Sequence, residues 1–252
     1  MYKRQAQRGT SFSFNGSSGY TVDRFNFTQT SGATGDCTIT QEADAPSNTG
    51  LVKSVKIAVD TSETPTSSGN CVFEQGIEGF NCAPLEHGQS SPPSATLSFW
   101  VKSNKTGTYS VQIKAQGSTG RYVLFDYTIS SANTWEKKTI TWVGDTSIAL
   151  NYDNSNQLRV IWHLSSGPDD KVSPTSSWVT SSSLQMSSNA VNFFDSASSD
   201  SLSRIPLFKI YSLIIVSITL VSHSIPVSRS QATSNFALCA ITYDAFFNAR
   251  LK

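Results

Sequence analysis

The stretch from Ser94 to Trp142 constrains the fold more than any other. In SATLSFWVKSN, Leu97, Phe99 and Val101 alternate with Ser98, Trp100 and Lys102, and in KTGTYSVQIKAQ, Tyr109, Val111 and Ile113 alternate with Ser110, Gln112 and Lys114. A period of two puts one set on each face of a sheet. RYVLFDYTI and TWEKKTITW follow as two further strands, and the gaps carry turn residues: Lys105-Thr106-Gly107, Gly117-Ser118-Thr119-Gly120 and Ser130-Ser131-Ala132-Asn133. Strands punctuated at this spacing predict an all-β antiparallel sandwich or barrel, in which Phe99, Val111 and Phe125 share one interior.

Other segments repeat the pattern. Cys37 to Gln41, Val55 to Val59, Cys71 to Phe80 and Leu158 to Leu164 read as strands, separated by polar loops such as Asp44 to Gly50, Thr61 to Gly69, Gly144 to Asn156 and Ser165 to Ser188. In the strand Leu158 to Leu164, Val160, Trp162 and Leu164 fall on one face, with Arg159, Ile161 and His163 on the other. Residues outside the hydrophobic 38% and charged 15% are largely Ser, Thr, Asn and Gly, which suits short strands joined by many turns. A net charge of +1 leaves no footprint for nucleic acid or an anionic membrane, and neither partner is expected.

Chemistry-bearing motifs are sparse. No nucleophile elbow, phosphate loop or triad order occurs, so no enzyme is expected. Cys37, Cys71, Cys82 and Cys239 form no C-x-x-C pair and have no histidine at ligand spacing, which argues against zinc. A Cys71–Cys82 bridge would close a short loop; buried free thiols are the plainer reading. Glu74 and Glu78 share one strand side and would point in parallel rather than across a substrate, as glycosidic chemistry requires. A solvated or cation-binding face is the ordinary reading of that pair, and a core or rim position that of His163.

Both ends look foreign to the rest. Met1 to Gln5 resembles the translated end of a sequencing-library adaptor, an expected scar outside the fold whose presence would mean that the native N-terminus is missing. From Ser201 to Lys252 the composition shifts, with Asp244 the only acidic residue.

The motifs A-Q-R-G-T-S-F (Ala6 to Phe12), Y-T-V-D-R-F (Tyr20 to Phe25) and L-S-F-W-V-K-S (Leu97 to Ser103), in that order, resemble the C-terminal domain of a family of virion structural and tail-associated proteins of marine bacteriophages. That domain is similar to the jelly-roll carbohydrate-binding modules of glycoside hydrolases, whose Q-x-I-E-G pattern recurs here at Gln75 to Gly79. The resemblance spans about Ala6 to Asp200. It implies a jelly-roll sandwich over 6–200, an Asp23-Arg24 pair anchoring the first strand against a loop, and Trp135 in the core at the start of a strand.

The family's closing strand, ending Leu-Glu-x-Gly, is absent. The tail 201–252 is therefore expected to be a frameshifted translation, with Ile210 to Val221, too short to span a bilayer as a helix, read as a strand. Unless it pairs into the vacant place, the exposed sheet edge favours aggregation.

The function implied is a non-enzymatic phage virion or tail-associated domain that binds host-surface polysaccharide beside other virion proteins, localised to the extracellular particle. Two alternatives stand beside it: a purely structural virion or fibre decoration, and the accessory carbohydrate-binding module of a secreted enzyme. Candidate glycan contacts are Trp100, Tyr152, Trp162 and Trp178, because an indole or phenol ring covers the apolar face of a pyranose. Trp100 and Trp178 each admit a packing role as well, Trp178 as a plug folded back onto the sandwich. No cofactor is implied; a structural calcium is common in similar modules, and no ligand motif places one here.

Overall fold

The computed structural model describes residues 8–22, 24–195 and 202–206, the last as backbone. The strands, in chain order, are β1 (Ser11–Phe14), β2 (Gly19–Tyr20), β3 (Phe25–Gln29), β4 (Asp36–Glu42), β5 (Ser54–Thr61) and β6 (Asn70–Glu78). A short helix, α1 (Gly79–Cys82), follows, then β7 (Ser94–Ser103), β8 (Gly107–Ala115), β9 (Arg121–Ile129), β10 (Glu136–Val143) and β11 (Asn156–Ser166). Four short strands complete the set: β12 (Lys171–Val172), β13 (Thr175–Thr180), β14 (Met186–Ser187) and β15 (Leu202–Pro206).

The long strands form two antiparallel sheets, one in the order β1-β4-β5-β15-β7-β10 and the other β13-β9-β8-β11-β6-β3-β2. From β5 onward the chain crosses between the sheets at β5-β6, β6-β7, β7-β8, β9-β10 and β10-β11, the crossing pattern of a jelly-roll sandwich. The all-β sandwich expected from the alternation is present. Phe99 and Val111 are buried in one interior with Phe125 packed against it.

Each strand turns one parity inward. Leu97, Phe99 and Val101 of β7 meet Tyr109, Val111 and Ile113 of β8, Phe25 and Phe27 of β3, and Phe73 of β6. Phe25 and Phe73 stack with centroids 4.7 Å apart, and Phe99 meets the Trp162 ring edge to face at 5.7 Å. Glu63, 5% exposed, ties the loops to this core. Its carboxylate accepts from the backbone N–H groups of Thr34 and Gly35, from Ser165 Oγ at 2.8 Å and from Cys71 Sγ at 3.2 Å. Cys37, Cys71 and Cys82 are buried free thiols, and burial raises all three pKa values.

Two segments differ from expectation. The polar stretch read as a loop from Ser165 to Ser188 contains β13, which pairs along the free edge of β9. Its side chains are exposed or half-buried, so an edge strand of this kind carries no apolar alternation to reveal it. In the six-stranded sheet, the place between β5 and β7 is taken by β15, with Ile205 opposite Val55 and Ser203 opposite Ser103. The expected strand Ile210 to Val221, Asp23 and the segment 1–5 lie outside the described residues.

Candidate functional site

The two outer faces of the sandwich are unlike. On the seven-stranded sheet the outward parity runs through Asn26 and Thr28 of β3, Glu74, Gly76 and Glu78 of β6, and Arg159 of β11. These residues adjoin through the β3-β6 and β6-β11 registers, in which Asn26 faces Glu74 and Gly76 faces Arg159. All of these but Thr28, together with Tyr20, Arg8 and Arg24 on one side and Gln116, Asn154 and Asn156 on the other, line an open cleft of about 660 Å³.

The floor of this cleft is held in place by its own hydrogen bonds. Glu74, 7% exposed, receives the Arg159 guanidinium on one carboxylate oxygen. The other accepts from Thr28 Oγ1 at 3.0 Å and Asn26 Nδ2 at 3.3 Å. Such a network fixes rotamers, and a carboxylate engaged on both oxygens serves as an orienting group. Glu78 is exposed at the end of the same strand face, as its spacing from Glu74 required. Gly76 keeps the floor low: a Cβ there would lie 2.6 Å from the Asn156 side chain. On the flank, the ring of Tyr20, 58% exposed, has the Arg8 guanidinium 4.3 Å from its centroid.

The far rim is rigid. Gly79 N donates to Ser155 O at 3.0 Å and Phe80 N to Asp153 O at 3.1 Å, which joins α1 to the loop before β11. Only glycine fits at position 79, where a Cβ would lie 1.8 Å from Asn151 O. Two aromatic side chains are exposed on these joined segments, Phe80 of α1 at 59% and Tyr152 of the loop before β11 at 54%.

The aromatic residues singled out from the sequence are therefore dispersed. Tyr152 is exposed on the loop before β11, two residues from Asn154 of the cleft lining. Trp162 is 1% exposed between the sheets, and its expected role as a glycan contact is corrected: it shares the inward parity of Val160 and Leu164 and shows no face to solvent. Trp178 is half-buried against the core. Its Nε1 donates to Val143 O at 2.7 Å and its ring stands edge-on to His87, the plug arrangement.

Trp100 is half-buried on the outer face of the six-stranded sheet, directly opposite Lys137. Trp135, expected in the core, is instead half-buried on that same outer side, where its Nε1 donates to Asp44 at 3.2 Å and Lys102 Nζ approaches its ring at 5.9 Å. Asp44, itself paired with Lys102, draws the indole outward, because its N–H finds an acceptor there.

The cleft residues Tyr20, Asn26, Asn156 and Arg159 were not legible as a site. Each has the outward parity of its own strand, but only strand order makes them neighbours. Among the described residues, no group of three or more His, Cys, Asp or Glu side chains could hold a metal ion, and no helix is long and apolar enough to cross a membrane.

No family model and no curated protein matches this chain. Among solved structures it is similar to the enzymatically active domain of tailspike protein 4 from bacteriophage CBA120, at 16% identity and TM-score 0.41, covering 73% of this chain and 18% of that one. A putative sugar-binding protein from Bacteroides thetaiotaomicron is similar at 13% identity and TM-score 0.37, covering 81% of this chain and 87% of that one. A family 4 carbohydrate-binding module is similar at 14% identity and TM-score 0.33, covering 61% and 66%. The chain thus spans less than a fifth of the tailspike chain, and these likenesses concern the layered strands alone.

Proposed function

We propose that this domain is a non-enzymatic phage virion or tail module that holds host-surface glycan in the cleft on its seven-stranded sheet. The observation that carries this reading is the cleft itself: open, rigidly floored, and lined by the amides, guanidinium groups and carboxylates of Asn26, Glu74, Asn156 and Arg159. Such groups exchange hydrogen bonds with vicinal hydroxyls, while an exposed ring such as Tyr20 or Tyr152 covers the apolar face of a pyranose. The ordered motifs at Ala6 to Phe12, Tyr20 to Phe25 and Leu97 to Ser103 support the virion setting. The engagement of Glu74 by Arg159, Asn26 and Thr28 supports binding over acid–base work, since both oxygens already serve as acceptors.

Affinity electrophoresis through gels containing host-surface polysaccharides tests this. Retardation by at least one polysaccharide, lost in Tyr20→Ala, is expected. Unretarded migration in every gel by the folded protein would overturn the reading. It would favour a structural decoration instead, for which the outward Trp100 and Trp135 offer a contact surface to a neighbouring subunit.

A further inference from the structure

The cleft occupies only part of the outer face of the seven-stranded sheet. Beyond Arg159 the same parity continues through Lys114, Gln112 and Ser110 of β8, Ile161 and His163 of β11, and Leu124 and Asp126 of β9. Arg159 lies opposite Lys114, Ile161 opposite Gln112, and His163 opposite Ser110. This second half is covered by the chain leaving β13, the strap Ser181 to Ala190, which lays β14 across it; Ser187 N donates to Ser110 Oγ at 3.2 Å.

The layer beneath the strap is poorly matched to a permanent seal. His163 and Gln112 are both 0% exposed, yet among the described residues neither ring nitrogen of His163 and neither amide atom of Gln112 has a hydrogen-bond partner, nor has Asp126 Oδ1. Buried polar groups are ordinarily satisfied, and each orphan weakens the closed arrangement relative to one in which water or ligand reaches it. Met186 is the one large apolar side chain that the strap buries fully. Backbone pairing and polar latches do the rest. β14 pairs in parallel with β12, with Ser188 N donating to Val172 O at 2.7 Å and Ser181 N to Gly120 O at 3.0 Å. Lys114 Nζ donates to Ser182 O and Ser183 O, Asn189 Nδ2 to Asp126 Oδ2 and Gln185 Nε2 to Asp170 Oδ1. Lifting the strap therefore parts β14 from β12.

We infer that the strap Ser181 to Ala190 lifts while β13 stays paired to β9, uncovering a second polar floor that lengthens the cleft for further units of a polyhydroxylated chain. The ligand half of this inference rests on the glycan reading above; the motion does not.

Labelling with diethyl pyrocarbonate, read residue by residue by mass spectrometry, tests the motion. His163 reacts only when the strap is off it, and His87, 2% exposed and covered by Trp178 of β13, reports opening that takes β13 with it. Expected is labelling of His163 well ahead of His87. Oxidation of a Ser110→Cys/Ser187→Cys pair lowers the His163 rate at least about tenfold, reversibly with reductant, because local opening governs access. Lys114→Met, which removes a latch, raises it severalfold. Labelling of both histidines at one common rate, or a His163 rate indifferent to both variants, would overturn the strap.

With any polysaccharide retained in the gels above, the oxidised lock should leave retention of a short oligosaccharide unchanged and weaken that of the polymer. Equal effects on both overturn the longer floor. If no polysaccharide is retained, the glycan assignment falls while His163 labelling still decides the motion.

Discussion

Arg159 on β11 reaches across to Glu74 on β6, and this ion pair lies on the outer face of the sheet, at the bottom of an open cleft, rather than in the sandwich interior. Removing one partner of a largely buried pair leaves the other charge uncompensated. Arg159→Met is therefore expected to lower stability by about 3 kcal/mol, measured by urea denaturation. Glycan retention should be lost as well, because Asn26 and Thr28 would no longer share a fixed acceptor.

Gly76 tests the cleft without touching the core. Its Cβ would lie 2.6 Å from Asn156 Nδ2, at an exposed position on the cleft floor. Gly76→Val is expected to abolish retardation in polysaccharide gels while the melting temperature stays within a few degrees of the parent. A variant that binds as before would move the site elsewhere.

Trp162 and Tyr152 should separate cleanly. Trp162→Ala empties the centre of the aromatic core formed with Phe25, Phe73 and Phe99 and is expected to cost about 3–5 kcal/mol in a denaturant titration. Tyr152→Ala removes an exposed ring and should leave stability within about 0.5 kcal/mol, with any loss confined to ligand retention.

Acid should destabilise the fold through its buried histidines. Burial holds His163 down to about 3, helped by the positive charges of Arg159 and Lys114, and holds His87 down to about 4 against a small opposing effect of Asp145. Both are neutral when folded and regain the ordinary value of 6.5 when unfolded. Their contribution is complete above that value and is lost as pH falls through it toward 4 and 3. The expected slope is about 1.4 kcal/mol per pH unit for each histidine within this window. His163→Leu should flatten the stability curve between pH 6 and 4 in denaturant titrations; an unchanged slope would mean that His163 carries none of it.

Strand identity was legible wherever one face is apolar and the other polar. β7, β8 and β11 follow from alternation alone, because a period of two has one burial solution. β13 was not legible, since Thr175 to Thr180 pairs along a solvated edge and needs no apolar parity. Trp178 and Trp135 show the limit for side chains: each indole N–H is directed by one acceptor, Val143 O and Asp44, that no local pattern announces.

Local pattern determined the layers of this protein: which residues of β7 and β8 turn inward, and that two sheets close over a shared interior; for β11 it gave the two faces, and the fold chose which one Trp162 takes. Tertiary structure alone decided the cleft and its strap. Asn26, Glu74 and Arg159 come from strands far apart in the chain, and only the order β3-β6-β11 makes them adjacent. The physical reason is that side-chain alternation encodes the face a residue takes within its strand, while the identity of the neighbouring strand is set by how the whole chain packs.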